Sequence, residues 1–198
     1  MPNELFRRHF LKAGVGFIGA AAGKVLFSDF STVVLAQSTR QLEWRYCRKC
    51  QALFYDGYGK KGRCPTGNGH VAQGLNFFLA YDTPETPTAQ AAWRFCNKCY
   101  MMFYDGYPNK GVCPAGGGHV AQGYNFVLSH DIPASGLEQN AWRFCNKCHA
   151  MFYDGYENKG TCSAGGGHVA AGYNFVLRFK GNLEDDVQLV PCSPPSCY

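Results

Sequence analysis

One unit occurs three times along this chain, and that recurrence constrains the fold more than any other feature. Trp44-Arg45-Tyr46-Cys47, Trp93-Arg94-Phe95-Cys96 and Trp142-Arg143-Phe144-Cys145 return at a period of 49 residues. Residues 93–128 and 142–177 differ at only six of 36 positions, and residues 44–79 keep every cysteine and histidine in register with them. A period of this length marks one supersecondary unit copied in tandem. The copies either close around a common axis or string out as loosely coupled beads. Residues 81–87 and 131–136, rich in Asp, Thr, Pro and Gly, read as short surface connections.

Within a unit no helical periodicity appears. Trp93 and Phe95 alternate with Arg94 and Cys96, as in a half-buried strand. In Phe103-Tyr104-Asp105-Gly106-Tyr107 an Asp-Gly pair stands between aromatics, which predicts a hairpin tip. Tyr124, Phe126 and Leu128 fall on one face of a closing strand, with Asn125 and Val127 on the other. Ala115-Gly116-Gly117-Gly118 must be loop. The fold class is therefore all-β.

Each unit carries Cys-x2-Cys-x13-Cys-x5-His: Cys47, Cys50, Cys64 and His70; Cys96, Cys99, Cys113 and His119; Cys145, Cys148, Cys162 and His168. The close pair forms a turn that aims two sulfurs at one spot, and the 13 residues that follow are long enough to return the chain there. Three thiolates and an imidazole in a tetrahedron suit zinc and leave no open position for water. The pattern resembles zinc-ribbon knuckles, with histidine in place of the usual fourth cysteine. That resemblance implies three structural zinc ions per chain. A 36-residue unit is shorter than the roughly 40 residues at which a core alone usually suffices, so metal supplies folding energy. Disulfides are the competing reading. Three cysteines per unit pair badly, however, and pairing leaves the repeated histidine without a role. An iron–sulfur centre is the third.

Phe6-Arg7-Arg8-His9-Phe10-Leu11-Lys12 resembles the twin-arginine export signal. The apolar run that follows, residues 13–22, is shorter than the about 20 residues needed to span a bilayer. Val34-Leu35-Ala36 offers a cleavage site before Gln37, which implies export to the periplasm or beyond with no membrane span left after cleavage. The expected organisation is signal 1–36, zinc repeats 37–81, 82–130 and 131–180, and a tail 181–198 in which Cys192 and Cys197 form a disulfide. Without residues 1–36 the chain keeps 15 basic and 12 acidic groups, a net +3. Each Cys3His zinc site contributes −1, so the loaded body is near neutral, and this argues against nucleic acid as a partner.

A closed zinc does no chemistry, and no Ser-His-Asp set or carboxylate pair recurs, so the expectation is a non-catalytic protein. Tyr-Asp-Gly-Tyr returns in every unit, which makes Asp56, Tyr58, Asp105, Tyr107, Asp154 and Tyr156 the candidate ligand-binding residues. Carboxylates accept hydroxyl hydrogen bonds, aromatic rings stack on sugar faces, and Asn76, Asn125 and Asn174 offer amides. Carbohydrate or another cell-surface polymer is the partner this combination favours. The alternative is a structural or assembly role in the envelope through a protein partner or self-association, with Asp-Gly as a plain turn. The three units are similar to β-trefoil lectin-like proteins in repeat number and strand pattern only, since the Gln-x-Trp signature is absent. That likeness implies closure with pseudo-threefold symmetry. His130 and His149, without histidine counterparts in the other units, read as surface residues.

Overall fold

The computed structural model describes residues 39–181. The expected export signal and the Cys192–Cys197 pairing lie outside the described residues. Among the described residues there are nine strands and no helices: β1 (Arg40–Cys47), β2 (Leu53–Tyr55), β3 (Ala72–Ala80), β4 (Ala89–Cys96), β5 (Met102–Tyr104), β6 (Ala121–Ser129), β7 (Glu138–Cys145), β8 (Met151–Tyr153) and β9 (Ala170–Arg178).

Each repeat is an antiparallel three-stranded sheet with its first strand in the middle, in the orders β2-β1-β3, β5-β4-β6 and β8-β7-β9. The register of each long pair slips at two points, the first of them between Gln41 and Trp44 in the first repeat, between Gln90 and Trp93 in the second and between Gln139 and Trp142 in the third. At that bulge Glu43, Ala92 or Ala141 adopts a left-handed conformation, with φ of 69°, 61° and 63°. A bulge frees a backbone donor, and here an amide side chain captures it. Asn76, Asn125 and Asn174 accept the N–H of Glu43, Ala92 and Ala141 at 3.0, 2.8 and 2.9 Å. The asparagines are thus part of the frame.

The three sheets close on one another. Single bridges join Phe54 to Met101, Phe103 to Ala150 and Ala52 to Phe152, so the third repeat meets the first as the first meets the second. At the far ends of the long strands Tyr81 bridges to Phe126, His130 to Phe175 and Phe77 to Phe179. This is pseudo-threefold closure, not a string of beads. One core holds all nine described cysteines with Phe54, Phe103 and Phe152. The other holds Trp44, Trp93 and Trp142 with Phe77, Phe126 and Phe175. Each tryptophan packs edge-to-face on a phenylalanine of a neighbouring repeat: Trp44 on Phe126 at 5.1 Å, Trp93 on Phe175 at 5.0 Å, Trp142 on Phe77 at 5.2 Å. Such pairs contribute about 0.5–1.5 kcal/mol each beyond their buried area.

Three sequence expectations change here. Asp-Gly is not a hairpin tip: after Tyr55 no strand appears until β3, and the hairpin joining β1 to β2 is the Cys47-x-x-Cys50 turn itself. The ring of Tyr55 folds over Gly57, where a Cβ would stand 2.4 Å from its hydroxyl oxygen, so the turn leaves no room for a side chain there. Val127 is buried as Phe126 and Leu128 are, while Tyr124 is exposed. The closing strands meet around a shared depression lined by Phe78, Val127 and Val176, so both of their faces are covered at that end. His130 and His149 are buried, not superficial. They occupy aromatic positions: His130 stacks on Tyr173 at 3.7 Å, where the first repeat stacks Tyr81 on Tyr124. His149 packs against Phe144 at 5.2 Å, where the second repeat packs Tyr100 on Phe95.

Candidate metal centre

All three sequence-derived ligand sets come together. In each, one ligand atom per residue lies within 4.8 Å of every other, and all four residues are buried. The end of the central strand supplies the first cysteine and the hairpin turn supplies the second. The long loop after β2, β5 or β8 returns the third cysteine and the histidine. A lysine inside each knuckle secures that return: Lys49 donates to the carbonyl of Gly67 at 2.6 Å, Lys98 to that of Gly116 at 2.5 Å, and Lys147 to that of Gly165.

The distances fit one ion per set. A tetrahedron with metal–sulfur bonds of about 2.3 Å and a metal–nitrogen bond of about 2.05 Å has S···S edges of about 3.8 Å and S···N edges of about 3.6 Å. Cys96 and Cys113 sulfurs stand 3.9 Å apart, and those of Cys145 and Cys162 3.8 Å. Sulfur to Nδ1 is 3.5 Å for Cys50–His70, 3.4 Å for Cys99–His119 and 3.5 Å for Cys148–His168. A disulfide needs sulfurs about 2.05 Å apart, and all nine cysteines among the described residues are free. Backbone N–H groups of Val71, Val120 and Val169 point at Cys47, Cys96 and Cys145 sulfurs at 3.5 Å, which favours thiolate.

The electrostatics of the bare donors call for a cation. Burial, the largest influence on His70, His119 and His168, works against a charged ring. Their cysteine neighbours outweigh it and raise all three imidazoles to about 9. Hydrogen bonds from Cys47, Cys113 and Cys148 lower the thiols of Cys64, Cys96 and Cys145. Cys50 and Cys148 rise well above the usual range, first through their bonds to Cys47 and Cys145, and Cys99 rises first through burial. Only one positive centre per set relieves all four groups together, and a divalent ion does so without holding a proton.

Nothing in the spacing of the residues indicates what holds the histidines. Each imidazole donates its Nε2–H to a cysteine carbonyl of the next repeat: His70 to Cys99 at 3.0 Å, His119 to Cys148 at 3.1 Å, and His168 back to Cys50 at 3.2 Å. That bond sets the tautomer, leaving Nδ1 bare toward the sulfurs. Phe54, Phe103 and Phe152 stack on the same rings at 4.7, 4.8 and 4.7 Å. Every metal centre is thereby built from two repeats. The glycine after Lys61, Lys110 or Lys159 makes the joint possible. A Cβ on Gly62, Gly111 or Gly160 would stand 2.1, 2.2 or 2.3 Å from the carbonyl oxygen of Cys99, Cys148 or Cys50.

The Tyr-Asp-Gly-Tyr residues lie elsewhere. Asp56, Asp105 and Asp154 meet Lys61, Lys110 and Lys159 at 2.8, 2.7 and 2.9 Å, so each carboxylate is ion-paired instead of standing free. Their backbone N–H groups bond to the carbonyls of Glu43, Ala92 and Ala141, which ties the turn to the bulge. Tyr58, Tyr107 and Tyr156 are about half exposed, at 51%, 51% and 54%. They lie against Phe95, Phe144 and Tyr46 of the adjoining repeat at 6.0, 6.0 and 6.2 Å. Among the described residues no helix is long and apolar enough to cross a membrane. No protein-family model, curated protein or solved structure matches this chain.

Proposed function

We propose that this chain is an exported, non-catalytic binding module that recognises carbohydrate or another cell-surface polymer from a scaffold stapled by three zinc ions. Zinc is the ion proposed because three soft thiolates and a borderline imidazole close a tetrahedron with no position for water or substrate. The observation that carries the binding reading is the placement of Tyr58, Tyr107 and Tyr156. Each exposes an aromatic surface at an equivalent joint between repeats, on one body held by two cores and three metal centres. Three equivalent surfaces on one body gain avidity against a repetitive polymer and little against a single small molecule.

The aspartates of the same turns support the tyrosines by anchoring the turn to its lysine and to the bulge. The test is retention of the mature protein on insoluble polysaccharides and on isolated cell walls, with metal content measured in parallel. Three zinc ions per chain and retention lost in the triple variant Tyr58→Ala, Tyr107→Ala, Tyr156→Ala support the proposal. Retention on none of these materials hands the protein to the alternative role in envelope assembly.

A further inference from the structure

The joints between repeats are open grooves. Between the first and second repeats, Gln41, Tyr55 and Tyr58 face Phe95, Gln122 and Tyr124 across a groove of about 260 Å³. Between the second and third, Gln90, Tyr104 and Tyr107 face Phe144, Tyr173 and Phe175 across about 250 Å³. Between the third and first, Gln139, Tyr153 and Tyr156 face Tyr46, Gln73 and Leu75, and the space falls to about 100 Å³.

Two features of these grooves point to a ligand. The glutamine in each is oriented from beneath: the indole N–H of Trp44, Trp93 or Trp142 donates to the Oε1 of Gln41, Gln90 or Gln139 at 3.1, 3.1 and 3.0 Å. With Oε1 taken, the amide presents its two N–H donors. Meanwhile the outer wall is a ring held flat. Tyr124 stacks on Tyr81 at 3.8 Å and 15°, and Tyr173 on His130 at 3.7 Å and 13°, so one face of each is covered while 42% and 44% of the residue stays exposed. A groove with flat aromatic walls and fixed amide donors fits a ring that is apolar on its faces and hydroxylated at its rim.

The lining also excludes charge. None of the three grooves is lined by Asp, Glu, Lys or Arg. Burial, followed by the neighbouring tyrosines, raises the hydroxyls of Tyr55, Tyr104 and Tyr153, so these stay neutral at physiological pH. A uronate or sulfated sugar would shed hydration there and find no cation among the lining side chains; the nearest guanidinium groups, of Arg45, Arg94 and Arg143, are engaged by the carbonyls of Gly74, Gly123 and Gly172 at 3.0 Å. The volumes lie below the about 300–1,000 Å³ typical of drug-sized ligands, room for one or two sugar rings.

Building on the binding role proposed above, we infer that the grooves between repeats are sites for neutral pyranose rings, and that two of the three are complete. The third lacks a flat outer wall because Leu75 stands where the others have Tyr124 and Tyr173, and Tyr46 narrows it in place of a phenylalanine.

Titration calorimetry of the metal-loaded protein with cellotriose, chitotriose, mannotriose and trigalacturonate tests this. At least one neutral trimer should bind at two sites per chain, at least tenfold more tightly than the uronate. Tyr124→Leu and Tyr173→Leu should each remove one site, and Leu75→Tyr should add a third. Circular dichroism and metal content identify any variant that fails to fold, and the gain predicted for Leu75→Tyr does not depend on a loss. Equal binding of the uronate, or two sites surviving the Tyr124→Leu, Tyr173→Leu double change, overturns the inference. In that case continued retention on polysaccharide leaves the binding role standing at another surface. Loss of retention in the wild type ends both. Binding of unrelated hydrophobic peptides in place of every glycan also overturns it.

Discussion

Replacing Gly62 with alanine strikes a metal centre and a joint between repeats at once. Gly62 has φ of +62°, and an added Cβ would stand 2.1 Å from the carbonyl oxygen of Cys99 and 2.6 Å from its carbon. Holding an L-residue in that conformation costs about 1–2 kcal/mol. The carbonyl belongs to backbone and must retreat by about 1 Å to restore normal contact. It accepts hydrogen bonds from His70 at 3.0 Å and from the N–H of Arg63 at 3.2 Å, so the retreat breaks or stretches both. Buried donors left without partners cost about 1–3 kcal/mol each. Counting strain and one lost bond, Gly62→Ala should destabilise by about 2–5 kcal/mol, or about 4–20 °C in Tm for a body of this size. Gly67 separates the two contributions, because its φ is +89° with nothing within 4 Å of an added Cβ. Gly67→Ala should show the strain alone. Thermal unfolding of both variants, followed by circular dichroism with metal release to a chromogenic chelator, makes the comparison. A Gly62→Ala protein no less stable than Gly67→Ala, releasing metal no faster, refutes the coupling of metal centre to joint.

Residues 93–131 expressed alone with zinc should stay largely unfolded by amide NMR dispersion, since Trp93 then loses Phe175 and His119 loses the Cys148 carbonyl; a well-dispersed spectrum contradicts this. Acidification should weaken metal binding. Imidazoles raised to about 9 hold a proton below that pH, the metal displaces it, and affinity falls at least tenfold per unit from about pH 9 downward. Chelator competition between about pH 9 and pH 6 measures the slope, and a flat profile contradicts it. Exchanging Arg7 and Arg8 for lysine should strand the precursor in the cytoplasm, as fractionation and immunoblotting would read; unchanged export contradicts the twin-arginine reading.

The ligand sets were legible in the chain because metal ligation depends on short spacings. Two cysteines three positions apart in a turn, and a third cysteine and a histidine returning on a glycine-rich loop, are arrangements that local geometry alone makes sensible. The alternation of Trp93 with Arg94 was readable for the same reason, since strand period is a property of neighbouring residues, whereas on the closing strands Val127 is buried beside Phe126 and Leu128 because three repeats meet there. Asp-Gly misled, because the turn preference of Asp-Gly is the same whether or not a second strand follows. Only the pairing decides it: β2 lies against β1, and the next strand, β3, takes the other edge of β1 instead of returning along β2. The glutamine at the third position before each tryptophan was visible as a repeat, Gln41, Gln90 and Gln139, but its meaning was not. It depends on an indole turned into the core so that its N–H meets the amide. Least visible of all was the ring of bonds from His70 to Cys99, His119 to Cys148 and His168 to Cys50, the last spanning 118 residues. The residues alone determined three metal sites in an all-β chain. Tertiary structure decided that each site takes its histidine's partner from the next repeat, because a buried imidazole N–H must find an acceptor and closure places a cysteine carbonyl of the neighbour within reach.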